Sequence, residues 1–459
     1  MSLCSLIELI IFLRGKNVVS RFKKSVLLTM MLILLVGLLV ACGGDEGTTD
    51  EDGNWTGTIT IWDGPRWPDA DDNKYHWLEE KKAEFEDMHE GVTIEIVQVP
   101  WAELPDKLGV NIAGESWPDI APVDISGSAV SSEHIEQGVI EEVDFLSDDD
   151  LSDFYDNALE AYTFEDKLYG IPNSITVHSM LLNLDLFEER GVEPPADGKW
   201  TWDEFLETAE ALTFDRDGDG EIDVYGFSTY ILEGYYEAWP FFYKDGGQPM
   251  NDDATEFTFN SPEAVKAIQD LADLKLVHDV APMAHGGAEV GETFQAWANE
   301  EQRTVAMQPW ATWAIQSAQD AYPTNFMVAE YPVGDLGEPL TIGGVGGWLM
   351  FKQESEAKKK VVAEFMQFIS DTDEQYRMAV EYGVFPARIS AADMDPYADN
   401  PQMARAQEMS EQVVMVPSHP QWKQIDEIIQ GKLQVVFNGE KTAQEAMDEA
   451  AEEIERILD

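Results

Sequence analysis

Residues Tyr169 to Phe205 read YGIPNSITVHSMLLNLDLFEERGVEPPADGKWTWDEF, and the fold is decided within them. Ile175 to Leu184 is a β-branched and apolar run, with Pro172 before it and Asp185 after it, which the pattern predicts as a buried strand. His178 and Ser179 stand in the middle of that run, where a core takes apolar side chains, so the strand is marked as a candidate site. A helix follows, then a loop at Pro194 and Pro195, then a second helix opened by Thr201. Glu204 stands three residues on, the spacing of a capping box.

Upstream, the chain alternates between strand and helix patterns. A strand at Thr58 to Trp62 is followed by a helix over about Asn73 to Glu90, with Leu78, Phe85 and Met88 on one face. Gly91 is placed as its C-cap, and a strand follows at Val92 to Val99. This is a βαβ unit, and it implies a parallel sheet covered by helices. A short third strand spans Ile120 to Val123. Ligands of such sheets sit at the carboxyl ends of the strands, which selects Trp62, Asp63 and Arg66 after the first, and Asp124 and Ser126 after the third. Asp63 and Asp124 would serve equally well as helix caps or turn formers.

Downstream, Asp215 to Gly226 reads DRDGDGEIDVYG. Asp215, Asp217, Asp219 and Asp223 occupy positions 1, 3, 5 and 9 of a calcium loop, Gly220 allows its sharp turn, and the Glu221 carbonyl falls at position 7. Gly226 stands where a sensor loop has its bidentate Glu, so the expectation is a structural Ca²⁺ or a metal-free acidic turn, with a local stabilising role either way. Tyr230 to Gly247 holds seven aromatics without regular apolar spacing, and Phe241 and Phe242 are expected in the core. Ser261 and Pro262 open a further helix, and Ala443 to Leu458 is an amphipathic one. The glycine-rich GGVGGW at Gly343 to Trp348 lacks the Lys-Ser/Thr that a phosphate cradle needs.

At 459 residues, with 44% apolar residues and 14 Trp, the chain is globular and long enough for two domains. Residues 1–41 hold five Lys/Arg and one Asp/Glu, which leaves 24 against 88 in the remainder, a formal −64. That charge repels nucleic acid and anionic lipid, so neither is expected as a partner; it also suits solubility in a salty or alkaline medium. Both cysteines, Cys4 and Cys42, lie outside the folded part, so no disulfide is expected. Lys23 and Lys24 precede an apolar run, Ser25 to Ala41, that ends in Leu-Val-Ala-Cys-Gly; this looks like a bacterial lipobox with Cys42 as the lipidated N-terminus, the alternative being a plain signal anchor. Residues 42–54 read as a flexible tether.

The order G-I-P, an extended run ending in L-N-x-D-L-F, Gly191, a Pro pair and T-W-D-E-F resembles the family 1 extracellular solute-binding proteins of ABC importers, the maltose-binding-protein-like group. Further matches are P-D-I at Pro118, Y-x-x-W-P at Tyr236 to Pro240, AMQPWATW at Ala306 to Trp313, V-F-P-A-R at Val384 to Arg388 and P-x-W at Pro420 to Trp422. The resemblance implies an α/β fold of two lobes, each a mostly parallel sheet flanked by helices, joined by several crossover strands near 173–178, 343–348 and 384–388. It divides the chain into a signal peptide at 1–41, a tether at 42–54, one lobe from 55–173 plus 345–384, and a second from 174–344 plus 385–459. It implies a monomer at the cell surface, lipid-anchored to the outer face of the cytoplasmic membrane, that hands its ligand to a permease.

A hinge of this kind closes on a ligand between the lobes. Sugars present C–H faces to aromatic rings and hydroxyl rims to paired polar groups, so the expected ligand is a carbohydrate, an oligosaccharide above all. Tyr236, Trp239, Trp310, Trp348 and Trp422 are then expected to contact it, with His178, Asp63 and Asp124 giving selectivity. Arg66 and Arg388 would pair a uronate or salt-bridge to acidic neighbours, and His178 could equally be a satisfied core histidine. The rival class is a secreted glycoside hydrolase or lyase, but no carboxylate pair stands out among 88 acids. G-x-S-x-G and H-E-x-x-H are absent, and no catalytic cysteine is present after residue 42, so the chain is expected not to be an enzyme.

Overall fold

The computed structural model describes residues 47–50, 53–66, 73–125, 129–251, 254–299, 303–321, 325–417 and 419–458. The leader, Cys42, much of the tether and Ser126 lie outside the described residues. The described residues as far as Thr58 form one compact unit, and Ile59–Asp459 form a second. In the first, Thr48–Thr49 is a short strand paired antiparallel with Thr56 and Trp55. The tether expected over 42–54 is therefore partly ordered; a Cβ at Gly47 would run into the Trp55 indole, so the missing side chain is what lets the two segments close up.

The second unit is built on one strand, Gly170–Asn183, that belongs to two sheets. Its first half pairs antiparallel with the return strand Thr341–Met350, from Gly170 with Leu349 through Val177 with Gly343. Its second half pairs with Val305–Ala311, from His178 with Ala311 to Leu182 with Met307, and with Phe326–Ala329 on its other edge. The hydrogen-bonded partner thus changes between Val177 and His178, and His178 is the first residue on the far side of the crossing. The return strand lies close because its glycines allow it: a Cβ at Gly343 would stand 2.6 Å from the Thr176 carbonyl oxygen, and one at Gly347 would stand 2.5 Å from that of Ile171.

On the first lobe's side, Trp55–Asp63 pairs in parallel with Ile120–Ala121, which pairs in turn with the return strand. Its core takes Ile59, Ile61, Leu78, Ile94 and Leu108, and Phe85 packs edge-on against Phe365 at 4.9 Å. On the second lobe's side, Tyr225–Phe227 runs parallel to Val305–Ala311, and a large core gathers Phe205, Phe227, Trp239, Phe241, Trp422, Ile425 and Ile429. The architecture is the expected α/β arrangement of two lobes. The crossover strand meets its neighbours antiparallel throughout, and parallel pairing occurs away from it, including between the return strand and Val413–Met415.

Local signals hold closely. Thr201 Oγ1 accepts from the Glu204 N–H at 3.3 Å and Glu204 Oε2 accepts from the Thr201 N–H at 2.8 Å, the reciprocal capping box. Ser261 caps Pro262–Leu276, and Ala443–Leu458 is helical as read. The helix expected over Asn73 to Glu90 is shorter, His76–Met88, and Met88 departs from the reading: it is exposed in the last turn, while Lys81 takes a buried place paired to Glu374 at 2.7 Å.

Candidate functional site

At the carboxyl end of Trp55–Asp63 the chain places Asp63 wholly inside the protein, with Arg66 Nη2 at 2.9 Å from its Oδ1. The Arg66 guanidinium lies 5.1 Å from the Trp77 ring and 5.5 Å from the Trp348 ring, so its charge is balanced by one carboxylate and enclosed by two indoles. Burial pushes the Asp63 carboxyl up to about 6 against the pull of Arg66. Asp63 Oδ2, Arg66 Nε and Trp348 Nε1 find no hydrogen-bond partner among the described residues. Trp62 is nearly covered, and the Lys107 ammonium sits 4.4 Å over its ring.

At the crossing, the His178 carbonyl accepts from Thr341 Oγ1 at 2.6 Å, which ties the backbone of the crossover strand to the start of the return strand. The residue is half-buried, its Nδ1 is enclosed without a partner among the described residues, and burial lowers the ring to about 3. Burial thus favours the neutral imidazole at His178. Thr176, two residues earlier and not singled out by the sequence, donates to the Gly344 carbonyl at 3.3 Å.

The aromatic segment Tyr230 to Trp239 supplies the second lobe's contribution. Tyr235 and Tyr236 are half-buried, while Trp239 is wholly enclosed against Tyr236, Phe259 and Trp422. The Tyr236 hydroxyl accepts from Trp422 Nε1 at 3.0 Å and donates to Asp426 Oδ2 at 3.3 Å. Burial raises this phenol well above its usual value, and the charges of Asp426 and of Asp124, which follows the first lobe's third strand, add to the shift. Asp124 acts in the same direction on Tyr162, whose hydroxyl donates to the Val345 carbonyl of the return strand at 3.2 Å. Asp124 thus sits within electrostatic reach of both the return strand's neighbour and the second lobe's tyrosine. Lys423 pairs with Asp106 of the helix Leu104–Ala113.

Not every expected residue offers a surface. Trp239, Trp310, Trp348 and Trp422 have no exposed area, and stacking on a sugar requires an exposed ring face. Trp310 packs among Tyr230, Phe294 and Trp313 and donates to Gln308 Oε1 at 2.8 Å. Arg388 is likewise engaged inside its surroundings: Nε donates to the Ser370 carbonyl at 2.9 Å, Nη1 to Asp153 Oδ2 at 3.0 Å, and the guanidinium covers the Phe154 ring. Of the two readings open for Arg388, the internal salt bridge is the one this geometry contains. Sequence reasoning missed Trp77, Tyr235 and Asp426, whose contacts with Trp348, Gln430 and Gly234 join segments far apart in the chain.

The acidic loop brings Asp215, Asp217 and Asp223 together, with one oxygen of each within 4.8 Å of the others. Asp215 accepts from the Gly218 and Gly220 N–H groups at 2.6 and 2.7 Å, which hold its carboxyl below the usual range. Asp219 instead accepts from the Glu221 N–H at 2.9 Å. The donor set is all oxygen, as a hard cation such as Ca²⁺ requires.

Comparison with known proteins agrees with this architecture. The pattern of a family described as bacterial extracellular solute-binding protein matches residues 81–405. The chain is 26% identical over 396 residues to a binding protein of Brucella abortus, covering 83% of this chain and 90% of that one. It is 24% identical over 435 residues to the galactooligosaccharide-binding protein of Bacillus subtilis, covering 92% and 94%. The structure matches that of an ABC substrate-binding protein, Lmo0181 from Listeria monocytogenes in complex with cycloalternan, with a TM-score of 0.74 at 23% identity, covering 87% of this chain and 98% of the other. The crossover strand, the paired lobes and a family match over most of the chain agree, and this chain belongs to the bacterial extracellular solute-binding proteins.

Proposed function

We propose that this protein captures a neutral oligosaccharide between its lobes and delivers it to the permease of an ABC importer. The observation that carries the reading is the solute-binding family match over residues 81–405, in a chain whose Tyr235 and Tyr236 are half-buried aromatics. A carboxylate that accepts hydroxyl protons beside an aromatic ring that receives C–H groups suits a sugar. Neutrality follows from Arg66 being balanced by Asp63 and from burial favouring the neutral imidazole at His178. The names of the relatives support it: one binds galactooligosaccharides, and the Listeria protein holds cycloalternan. Tyr236 keeps the stacking role expected of it and Tyr235 joins it, in place of the enclosed Trp310 and Trp348. Calorimetry against a panel of neutral oligosaccharides, with product analysis of the same samples, tests it: binding without turnover supports the reading, and cleavage would replace it with a hydrolase.

Three finer features belong to the same proposal. The protein is lipid-anchored through Cys42 on the outer face of the cytoplasmic membrane. Asp215, Asp217 and Asp223 hold a structural Ca²⁺, with Asp219 and the Glu221 carbonyl near enough in sequence to complete the shell. The protein acts as a monomer.

A further inference from the structure

The helix Trp422–Phe437 carries Trp422, Asp426, Gln430 and Gln434 at steps of four, which is one stripe along one face. Trp422, Asp426 and Gln430 are buried, so the stripe faces inward, where an amphipathic helix ordinarily presents apolar side chains. Its polar groups reach toward one short segment, while Gln430 Oε1 finds no partner among the described residues. Asp426 Oδ2 accepts from the Gly234 N–H at 2.8 Å and from the Tyr236 hydroxyl at 3.3 Å. Gln430 Nε2 donates to Asp426 Oδ1 at 3.0 Å and reaches the Tyr235 carbonyl at 3.5 Å; Gln434 Nε2 donates to the Ile231 carbonyl at 3.0 Å, and Trp422 Nε1 to the Tyr236 oxygen at 3.0 Å. The segment has little regular structure of its own, only isolated bridges at Tyr230 with Gly286 and Leu232 with Tyr235. The helix holds the Tyr236 hydroxyl and the backbone at Ile231, Gly234 and Tyr235.

We propose that Asp426, supported by Gln430 and Gln434, is a positioning residue that sets ligand affinity by fixing the ring of Tyr236; this rests on the carbohydrate reading above. With its hydroxyl engaged on both sides, Tyr236 offers the sugar a ring face and not a hydrogen bond, so the site selects for an apolar sugar face at this point. The device is proton-sensitive. Burial pushes the Asp426 carboxyl up to about 6, with Glu233 of the segment adding to the shift and the Gly234 N–H, Gln430 and Tyr236 opposing it; Tyr243 faces it from Trp239–Tyr243. A proton on Asp426 takes an oxygen that now accepts from these donors, and Tyr236 loosens. Because the folded pKa lies above the ordinary 3.8, that same proton stabilises the fold as pH falls through about 6. Affinity and stability therefore move in opposite directions with this group, whereas a purely structural residue would move them together.

The test compares wild type with Asp426→Ala and Asp426→Asn by amide hydrogen exchange over 231–236 without ligand, and by calorimetry with maltotriose and a galactooligosaccharide from pH 5 to 8. Asp426→Ala is expected to speed exchange in that segment and weaken binding about tenfold, the scale of losing hydrogen bonds to a buried charged group. Asp426→Asn, which keeps one acceptor for Gly234 but turns the other into a donor, is expected to show the weaker affinity of low-pH wild type at every pH and so to lose the pH dependence near 6. Unchanged exchange in Asp426→Ala, looser exchange with unchanged affinity, or a pH dependence that persists in Asp426→Asn would each overturn the proposal. Should Asp426→Ala fail to fold, the Asn variant and the pH series decide. A wild type that binds neither sugar defeats the carbohydrate reading alone, and exchange then decides whether Asp426 holds the segment.

Discussion

Asp63 and Arg66 meet at 2.9 Å in a place where the carboxylate has no exposed surface and the guanidinium little. Removing one partner of such a pair leaves an uncompensated charge, which costs about 3–5 kcal/mol when both are buried. Asp63→Asn should therefore lower the melting temperature and, in the folded fraction, shift preference from neutral toward acidic sugars as Arg66 becomes free. Calorimetry with a neutral oligosaccharide and its uronate counterpart checks it, and an unchanged preference would mean that Arg66 does not face the ligand.

Glu237 is enclosed, and burial pushes its carboxyl from 4.5 up to about 7 in spite of the Tyr230 hydroxyl. A carboxyl whose folded pKa is raised gives stability that is complete below the unfolded value and is lost as pH rises through the folded one. Relative to wild type, Glu237→Gln should be little changed near pH 4 and more stable at pH 8, by on the order of 3 kcal/mol. Denaturant melts of both proteins across that range measure the difference; a constant offset would show that Glu237 does not titrate there.

The crossover strand was legible because its polar interruption at His178 falls where the strand changes partner, and the capping box at Thr201 because both its members are local. Burial of the tryptophans was not legible, since an aromatic residue in a segment without period gives no face. Asp426 was hidden for another reason. In a chain with 88 acids after residue 41, a carboxylate on a helix reads as solvent-facing, and only the return of the chain to Gly234 makes it a buried acceptor. Arg388 shows the same limit, since Asp153, its partner, is 235 residues away.

The convergence of Asp215, Asp217 and Asp223 bears on stability. An ion bound only by the native loop stabilises by mass action. A chelator should lower the melting temperature, and millimolar Ca²⁺ should restore it, with sugar affinity little altered. Melting that is indifferent to chelator would leave the loop as an acidic turn.

Cys42 follows Leu-Val-Ala at the end of the apolar leader. Cys42→Ser should move the protein from the membrane fraction to the medium on fractionation of the producing cells. Retention of the variant in the membrane would indicate an uncleaved signal anchor.

The central claim is that a neutral sugar lies against Tyr236 between the lobes, and titration of wild type and Tyr236→Ala with a neutral oligosaccharide panel tests it most directly. Truncating a ring that stacks on the ligand should cost about 1–3 kcal/mol, or roughly tenfold to over a hundredfold in Kd. The account predicts saturable binding to wild type, a loss of that size in Tyr236→Ala, and a melting temperature in the variant close to that of wild type. Equal affinity of the two proteins for the same sugar would contradict it.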